Sequence, residues 1–289
     1  MPRKLLIVSG PTASGKTDYA ISLAQRCGSP VLSCDSRQIY KEMTIGTAVP
    51  DASQLAAVKH YFIQTVSIQE DYTAGRYEIE ALELIHKLFD EGRDTLVMCG
   101  GSGFYIDAVC NGLNAIPPAD PDLRASLNAR IDAEGVESLW MELRRLDPEA
   151  YATIDLKNRA RVLRAVEVCL LTGRPFSSWK LSEPKKRDFE IEKLVIDRPR
   201  EELYSRIDAR VDQMMEKGLL EEVRSLLPYR HCTALQTVGY KELFAYLDGL
   251  IPLEEAVRQI KSNTRRYARK QLTWWRRDPS ARWISASGE

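Results

Sequence analysis

No apolar run in the 289 residues approaches the roughly 18 needed to span a membrane as a helix. Net charge is also missing. Lys+Arg and Asp+Glu both number 41, which excludes a uniformly basic nucleic-acid binder and leaves only local patches. The six cysteines never form C-x-x-C, and the three histidines (60, 86 and 231) are scattered, so no zinc-finger spacing exists. There is no internal repeat and no low-complexity tract. With 44% apolar and 28% charged residues, the chain is not disordered, collagen-like or stapled by disulfides. Cys34, Cys99, Cys110 and Cys169 sit among apolar neighbours and read as reduced core thiols. The opening MPRKLLIVSG is too short for a signal peptide and runs directly into a strand pattern. A cytoplasmic protein is the expectation.

What is present first is alternation of strand and helix. Lys4–Ser9 is a short apolar run suited to a buried parallel strand, and Asp18–Arg26 has helical spacing. Val31–Ser33, His60–Val66 and Thr95–Cys99 read as further strands. Gly75–Glu91 reads as an amphipathic helix with Ile79, Leu82, Ile85, Leu88 and Phe89 on one face. Such alternation predicts an α/β fold with a parallel sheet and right-handed crossovers. Between Leu113 and Lys186 no strand pattern occurs; Leu123–Ala133, Val136–Leu146 and Ala160–Leu171 read as helices. This stretch, 113–186, is expected to be a helical insertion in a core made of 1–112 and 187–289. The sheet resumes at Ile191–Ile196. Helix dominates from Pro199 to about Arg277, and Arg282–Ser285 reads as an edge strand.

Gly10-Pro11-Thr12-Ala13-Ser14-Gly15-Lys16-Thr17 fits G-x-x-x-x-G-K-[ST] between a strand and a helix. Backbone amides and a helix N-terminus in that setting cradle a diphosphate. Lys16 adds a mobile positive charge, and the Thr17 hydroxyl is a candidate Mg²⁺ ligand. The strand Thr95–Cys99 ends in Gly100-Gly101-Ser102-Gly103 without the carboxylate of a Walker-B strand. Val31–Ser33 instead ends near Asp35, where open α/β sheets keep their ligands. Asp35 there is a metal ligand, a proton acceptor or a helix N-cap.

Asp35-Ser36-Arg37-Gln38-Ile39-Tyr40 following this loop resembles the tRNA dimethylallyltransferase (tRNA isopentenyltransferase) family. Gly46-Thr47-Ala48-x-Pro50, Gly100-Gly101-Ser102-Gly103-Phe104-Tyr105, Arg161-Val162-Leu163-Arg164-Ala165-Val166-Glu167 and Val238-Gly239-Tyr240-Lys241-Glu242 continue the likeness in the family's order, as does the segment from Thr264 to Arg276. Ser102 and Phe104 stand where the family usually has Thr and Leu. The resemblance implies a P-loop NTPase-like core whose helical insertion grips the tRNA anticodon stem-loop. The implied reaction is transfer of a dimethylallyl group from dimethylallyl diphosphate to N6 of adenosine 37. It further implies Asp35 as proton acceptor, with Lys16, Thr17, Mg²⁺ and Arg210 on the diphosphate. The loop 10–17 would then take the prenyl diphosphate, not ATP. For tRNA it implies Asp35, Ser36, Arg37, Gln38, Ser102, Arg124, Ala160, Arg161, Val162, Leu163, Arg164, Arg269, Lys270, Trp274 and Arg276. No obligate protein partner and no zinc-finger extension are expected; the likeness is to the compact bacterial form.

Two sets of these assignments have independent residue-level readings. Leu203, Ile207, Val211 and Met214 form an apolar stripe, beside which Arg206 and Arg210 lie one turn apart, positioned to share one anionic ligand or to pair with Glu202 or Asp208. From Val257 to Arg277 there are eight Lys/Arg and no acid, interleaved with Tyr267, Trp274 and Trp275. Cations hold phosphates and aromatics stack unpaired bases; alternatively, the charges form a solvated face and at least one Trp is core. The competing functions are an adenylate isopentenyltransferase, a P-loop small-molecule kinase and a non-catalytic RNA-binding protein.

Overall fold

The computed structural model describes residues 3–114, 116–179 and 183–286. It forms two compact units, one of residues 1–111 with 186–289 and one of residues 112–185.

The first unit is built on an all-parallel six-stranded sheet in the order β3-β2-β4-β1-β5-β6. Its early elements are β1 (Lys4–Ser9), α1 (Lys16–Cys27), β2 (Val31–Ser33), α2 (Ala52–Ala57), β3 (His60–Tyr61), α3 (Ala74–Asp90), β4 (Thr95–Gly100) and α4 (Gly103–Asn111). The central strands β1 and β4 are buried over nearly their whole length, which accounts for their continuous apolar runs. Leu6, Val8, Val97 and Cys99 pack with Ala20, Leu23 and Ala24 of α1 on one face of the sheet.

Two sequence expectations need correction here. The strand expected over His60–Val66 stops at Tyr61, because Phe62 and Gln64 adopt positive φ (61° and 51°) and turn the chain. Thr65 and Val66 then donate to the Ile39 carbonyl at 2.8 and 3.0 Å. On α3, Ile79 is 60% exposed; the buried face is instead Tyr77, Ala81, Ile85, Leu88 and Phe89. The buried stripe runs through Tyr77 and Ala81 in place of Ile79 and Leu82. Cys34, Cys99, Cys110 and Cys169 are all buried free thiols, as their apolar neighbours indicated.

The second unit contains α5 (Pro121–Glu134), α6 (Glu137–Leu146), α7 (Pro148–Thr153) and α8 (Arg159–Thr172). Asp120, Asp147 and Asn158 cap α5, α7 and α8 by accepting backbone N–H groups. Leu127, Ile131, Leu139, Leu143, Val162 and Val166 make its core. Inside that core Glu167 is fully buried. It receives a bidentate pair from Arg124 at 3.1 and 2.7 Å and a third bond from Arg164 at 2.6 Å.

The chain returns to the first unit through β5 (Glu190–Asp197), α9 (Arg200–Glu216), α10 (Leu219–Ser225), α11 (Tyr240–Leu247), α12 (Leu253–Trp275) and β6 (Ala281–Ser285). β6 pairs with β5 at the sheet edge, from Lys193 opposite Ala281 to Asp197 opposite Ser285. No helix among the described residues is long and apolar enough to cross a membrane.

Candidate functional site

Parallel pairing aligns the carboxyl ends of three strands. Ser9 lies opposite Gly100, and Ser33 opposite Cys99. The loops that follow β1, β2 and β4 therefore converge: Gly10–Thr17, Asp35–Gln38 and Gly101–Gly103. This is the edge at which open α/β sheets bind ligands.

The loop after β1 turns through Ala13 (φ 64°) and Gly15 (φ 94°) into the first turn of α1. At Gly15 that backbone conformation favours glycine. Two arginines hold the loop by its carbonyls: Arg206 Nε donates to Ala13 O at 2.9 Å and Arg198 Nε to Ser14 O at 3.1 Å. With carbonyls drawn toward the arginines, amides and the α1 N-terminus are left to form an anion cradle. Ser14 Oγ is buried with no hydrogen-bond partner. Lys16 Nζ donates weakly to Pro11 O at 3.3 Å. Burial pulls the Lys16 ammonium below the ordinary lysine pKa; the Cys99 and Asp35 side chains oppose that effect, and Arg210 reinforces it.

A cavity of about 330 Å³ opens above the loop. Its ionic lining is Lys16, Arg37 and Arg210 against a single carboxylate, Asp35, so the charge balance favours an anion. Thr12 and Thr17 also line it. Ile207, Val211, Met214, Leu219, Val238 and Ile260 give the cavity an apolar portion. Cationic groups and apolar side chains lining one cavity suit an amphiphilic ligand.

Asp35 is both a turn cap and a cavity group. Its Oδ1 accepts from the amides of Arg37 at 2.9 Å and Gln38 at 3.4 Å, which fixes the carboxylate. Oδ2 accepts no hydrogen bond from the described residues. Ser36 and Ser102 are tied together: Ser102 Oγ accepts from Ser36 N at 2.9 Å and donates to Ser36 Oγ at 3.1 Å. The Gln38 amide donates to the carbonyls of Ala48 at 2.8 Å and Thr47 at 3.2 Å, so it braces the next loop.

The arginine pair on α9 separates. Arg210 lines the cavity, where burial lowers its pKa while Asp35 opposes the shift. Arg206 is spent on the Ala13 carbonyl. Neither pairs with Glu202 or Asp208, which bind Arg198 and Arg265 instead.

The other residues that the resemblance assigns to tRNA fall into three groups. Arg269, Lys270 and Arg276 are exposed on or just after α12. Trp274 is 37% exposed and lies against Gly103, whereas Trp275 is 1% exposed and belongs to the core. In the second unit Ala160 and Arg161 are exposed, and Arg124 and Arg164 are anchored to Glu167. The side chains of Val162 and Leu163 are buried in that unit's core and do not face solvent.

Sequence reading missed Gln271, Arg198 and Glu222. Gln271 lies inside the basic stretch that drew attention to charge, yet it is 6% exposed and reaches two loops. The signal was a lone uncharged polar residue between Ala268 and Trp275 on the buried face of α12. For a cofactor, the available donors are the Thr17 hydroxyl and the Asp35 carboxylate, hard oxygens of the type Mg²⁺ takes. No group of three His, Cys, Asp or Glu that could cage a metal exists among the described residues, so substrate oxygens and water would complete the shell.

The family model described as IPP transferase matches residues 38–278. The chain is 52% identical over 280 residues to tRNA dimethylallyltransferase 2 of Porphyromonas gingivalis, covering 97% of this chain and 93% of that one. It is 47% identical over 285 residues to tRNA dimethylallyltransferase 1 of Bacteroides thetaiotaomicron, covering 99% and 92%. Among solved structures, the full-length tRNA isopentenylpyrophosphate transferase of Bacillus halodurans superposes with a TM-score of 0.72 at 37% identity, covering 98% and 90%. A eukaryotic dimethylallyltransferase acting on tRNA gives a TM-score of 0.83 at 25% identity, covering 98% of this chain and 74% of that one. The chain belongs to the IPP transferase family, among the tRNA dimethylallyltransferases.

Proposed function

We propose that the protein transfers a dimethylallyl group from dimethylallyl diphosphate to N6 of adenosine 37 in tRNA, releasing diphosphate. The observation that carries this reading is that Asp35, Lys16, Thr17 and Arg210 line one cavity together with an apolar group of Ile207, Val211, Met214, Leu219, Val238 and Ile260. The adenine amine is a weak nucleophile, and diphosphate leaves well only when its charge is neutralised. Lys16, Arg210 and the loop amides supply fixed positive charge where negative charge grows as the C1–O bond breaks. Thr17 would hold Mg²⁺, which adds further charge neutralisation on the diphosphate. As the N6–C1 bond forms, one N6 proton passes to Asp35. Because the two turn amides hold Oδ1, the carboxylate is presented in one orientation, and Oδ2 is left to accept that proton.

The exposed cations Arg161, Arg269, Lys270 and Arg276 supply phosphate contacts in this reading, and Trp274 a surface for stacking an unpaired base. Incubation with labelled dimethylallyl diphosphate and, in parallel, tRNA, AMP and a panel of small-molecule kinase substrates with ATP tests it. Label in tRNA alone is the expected result. Label in AMP identifies an adenylate prenyltransferase, and phosphoryl transfer identifies a kinase. Tight tRNA binding without transfer leaves a non-catalytic RNA binder.

A further inference from the structure

Glu222 lies on α10, three residues after the cavity-lining Leu219, and does not itself line the cavity. Its Oε2 accepts from the amides of Ile45 at 2.7 Å and Thr44 at 3.1 Å. Its Oε1 accepts from the amide of Gly46 at 3.0 Å and from the Tyr240 hydroxyl at 2.6 Å. Four donors on one carboxylate use its acceptor capacity fully. Both oxygens of the side chain are needed as acceptors. An amide in its place presents one oxygen and turns an NH₂ toward two groups that are themselves donors.

The segment so held is part of the cavity. Gly46 and Thr47 line it beside Leu219, Val238 and Gly239. Gly46 lies against the buried Tyr240 ring, where an added Cβ would come within 2.6 Å of a ring carbon. The far end of the segment is held by Gln38 through the Thr47 and Ala48 carbonyls. One carboxylate thus ties the loop after β2 to α10, which carries the cavity-lining Leu219, and to Tyr240 at the start of α11, directly after the cavity-lining Val238 and Gly239.

We propose that Glu222 is a positioning residue for the prenyl donor. By holding residues 44–46 and Tyr240 it fixes one wall of the cavity, and with it the length of apolar tail that the cavity accepts. The proposal rests on the reading of the cavity as a prenyl diphosphate site. A purely structural role would lower the folded fraction and depress activity on all donors in proportion. A positioning role changes donor affinity and donor choice.

The test uses the full chain as wild type, Glu222→Gln and Tyr240→Phe, each with a melting curve. Three properties are read: amide hydrogen exchange at residues 44–46, calorimetric binding of dimethylallyl diphosphate, and transfer to tRNA from dimethylallyl and from geranyl diphosphate. In folded Glu222→Gln, exchange at 44–46 accelerates and dimethylallyl diphosphate binds about tenfold more weakly, while kcat changes little. The preference for dimethylallyl over geranyl narrows by about tenfold, within the range a hydrophobic pocket achieves for tail length. Tyr240→Phe, which removes one donor of four, shifts the same way by less. Unchanged exchange, unchanged donor binding, or equal losses on both donors would overturn the proposal. If the wild type transfers neither donor to tRNA, the functional reading fails instead, and donor binding by Glu222→Gln still decides whether the clamp shapes the cavity.

Discussion

The Gln271 side chain joins the loop after β1 to the loop after β4. Its Oε1 accepts from the Thr12 amide at 2.9 Å, and its Nε2 donates to the Gly101 carbonyl at 2.9 Å. An added Cβ at Gly101 would come within 2.3 Å of that nitrogen. The long helix α12 thereby sets the spacing between the phosphate loop and the loop carrying Ser102.

Gln271→Leu leaves the part-buried Thr12 amide and the buried Gly101 carbonyl without this partner, the buried one at a cost of about 1–3 kcal/mol. It also frees the phosphate loop to shift. We expect kcat/KM for prenyl transfer to fall about 10- to 100-fold, the scale of a 1 Å misplacement. Steady-state kinetics with a parallel denaturation curve check this. Wild-type kinetics would mean that the phosphate loop holds its geometry without Gln271.

Lys16 should show function opposed to stability. Its pKa is lowered from 10.5, chiefly by burial, so the unfolded chain binds that proton more tightly than the folded one. The penalty is fullest below the folded pKa and fades as pH rises toward the unfolded value. Lys16→Met is therefore expected to melt at or above the wild-type temperature at neutral pH, by about 2–4 °C for each kcal/mol relieved. The gap should narrow at high pH. Dimethylallyl diphosphate should raise the wild-type melting temperature and leave the variant's unchanged. Thermal scans over a pH series read both effects.

The strand–loop–helix units were legible because buried parallel strands leave short apolar runs, as in KLLIVS, and because the phosphate loop needs its glycines at fixed spacing. That Asp35 and Lys16 would line one cavity was legible for the same reason: both follow a strand's carboxyl end. What escaped is tertiary. Nothing near Glu222 marks it as the acceptor for amides 176–178 residues away. Gln271 is silent because a buried polar side chain is explained only by its partners. The exposure of Ile79 was misjudged because helical spacing defines several overlapping stripes, and only the neighbours choose among them.

In the second unit, Arg124 and Arg161 should behave differently. Arg124 braces the buried Glu167, so Arg124→Ala is expected to lower both tRNA affinity and the stability of that unit. Arg161 is exposed at the start of α8, and Arg161→Ala should lower affinity with the melting curve unchanged. Denaturation and filter binding on both variants distinguish the two. Equal stability losses would contradict the assignment.

Arg265 is not a clean probe of the basic helix, because it pairs with Asp208 and lies over the Tyr204 ring. Arg269, Lys270 and Arg276 are exposed. Neutralising these three together should weaken tRNA binding and reduce the slope of log K against log salt by about 2 to 3, given roughly 0.7–0.9 per phosphate contact. Dimethylallyl diphosphate binding should not change. A folded triple variant with an unchanged salt slope would make these charges a solvated face.

Single-turnover prenyl transfer by Asp35→Asn tests the central claim most directly. Asparagine keeps the oxygen that accepts the Arg37 and Gln38 amides, so the turn is retained while the proton acceptor is lost. With saturating tRNA and labelled dimethylallyl diphosphate, the rate should fall roughly 10²–10⁴-fold, the usual range for loss of a general base, while tRNA affinity changes little. A rate within about threefold of wild type, far short of general-base loss, would contradict the assignment of Asp35 as the acceptor of the N6 proton.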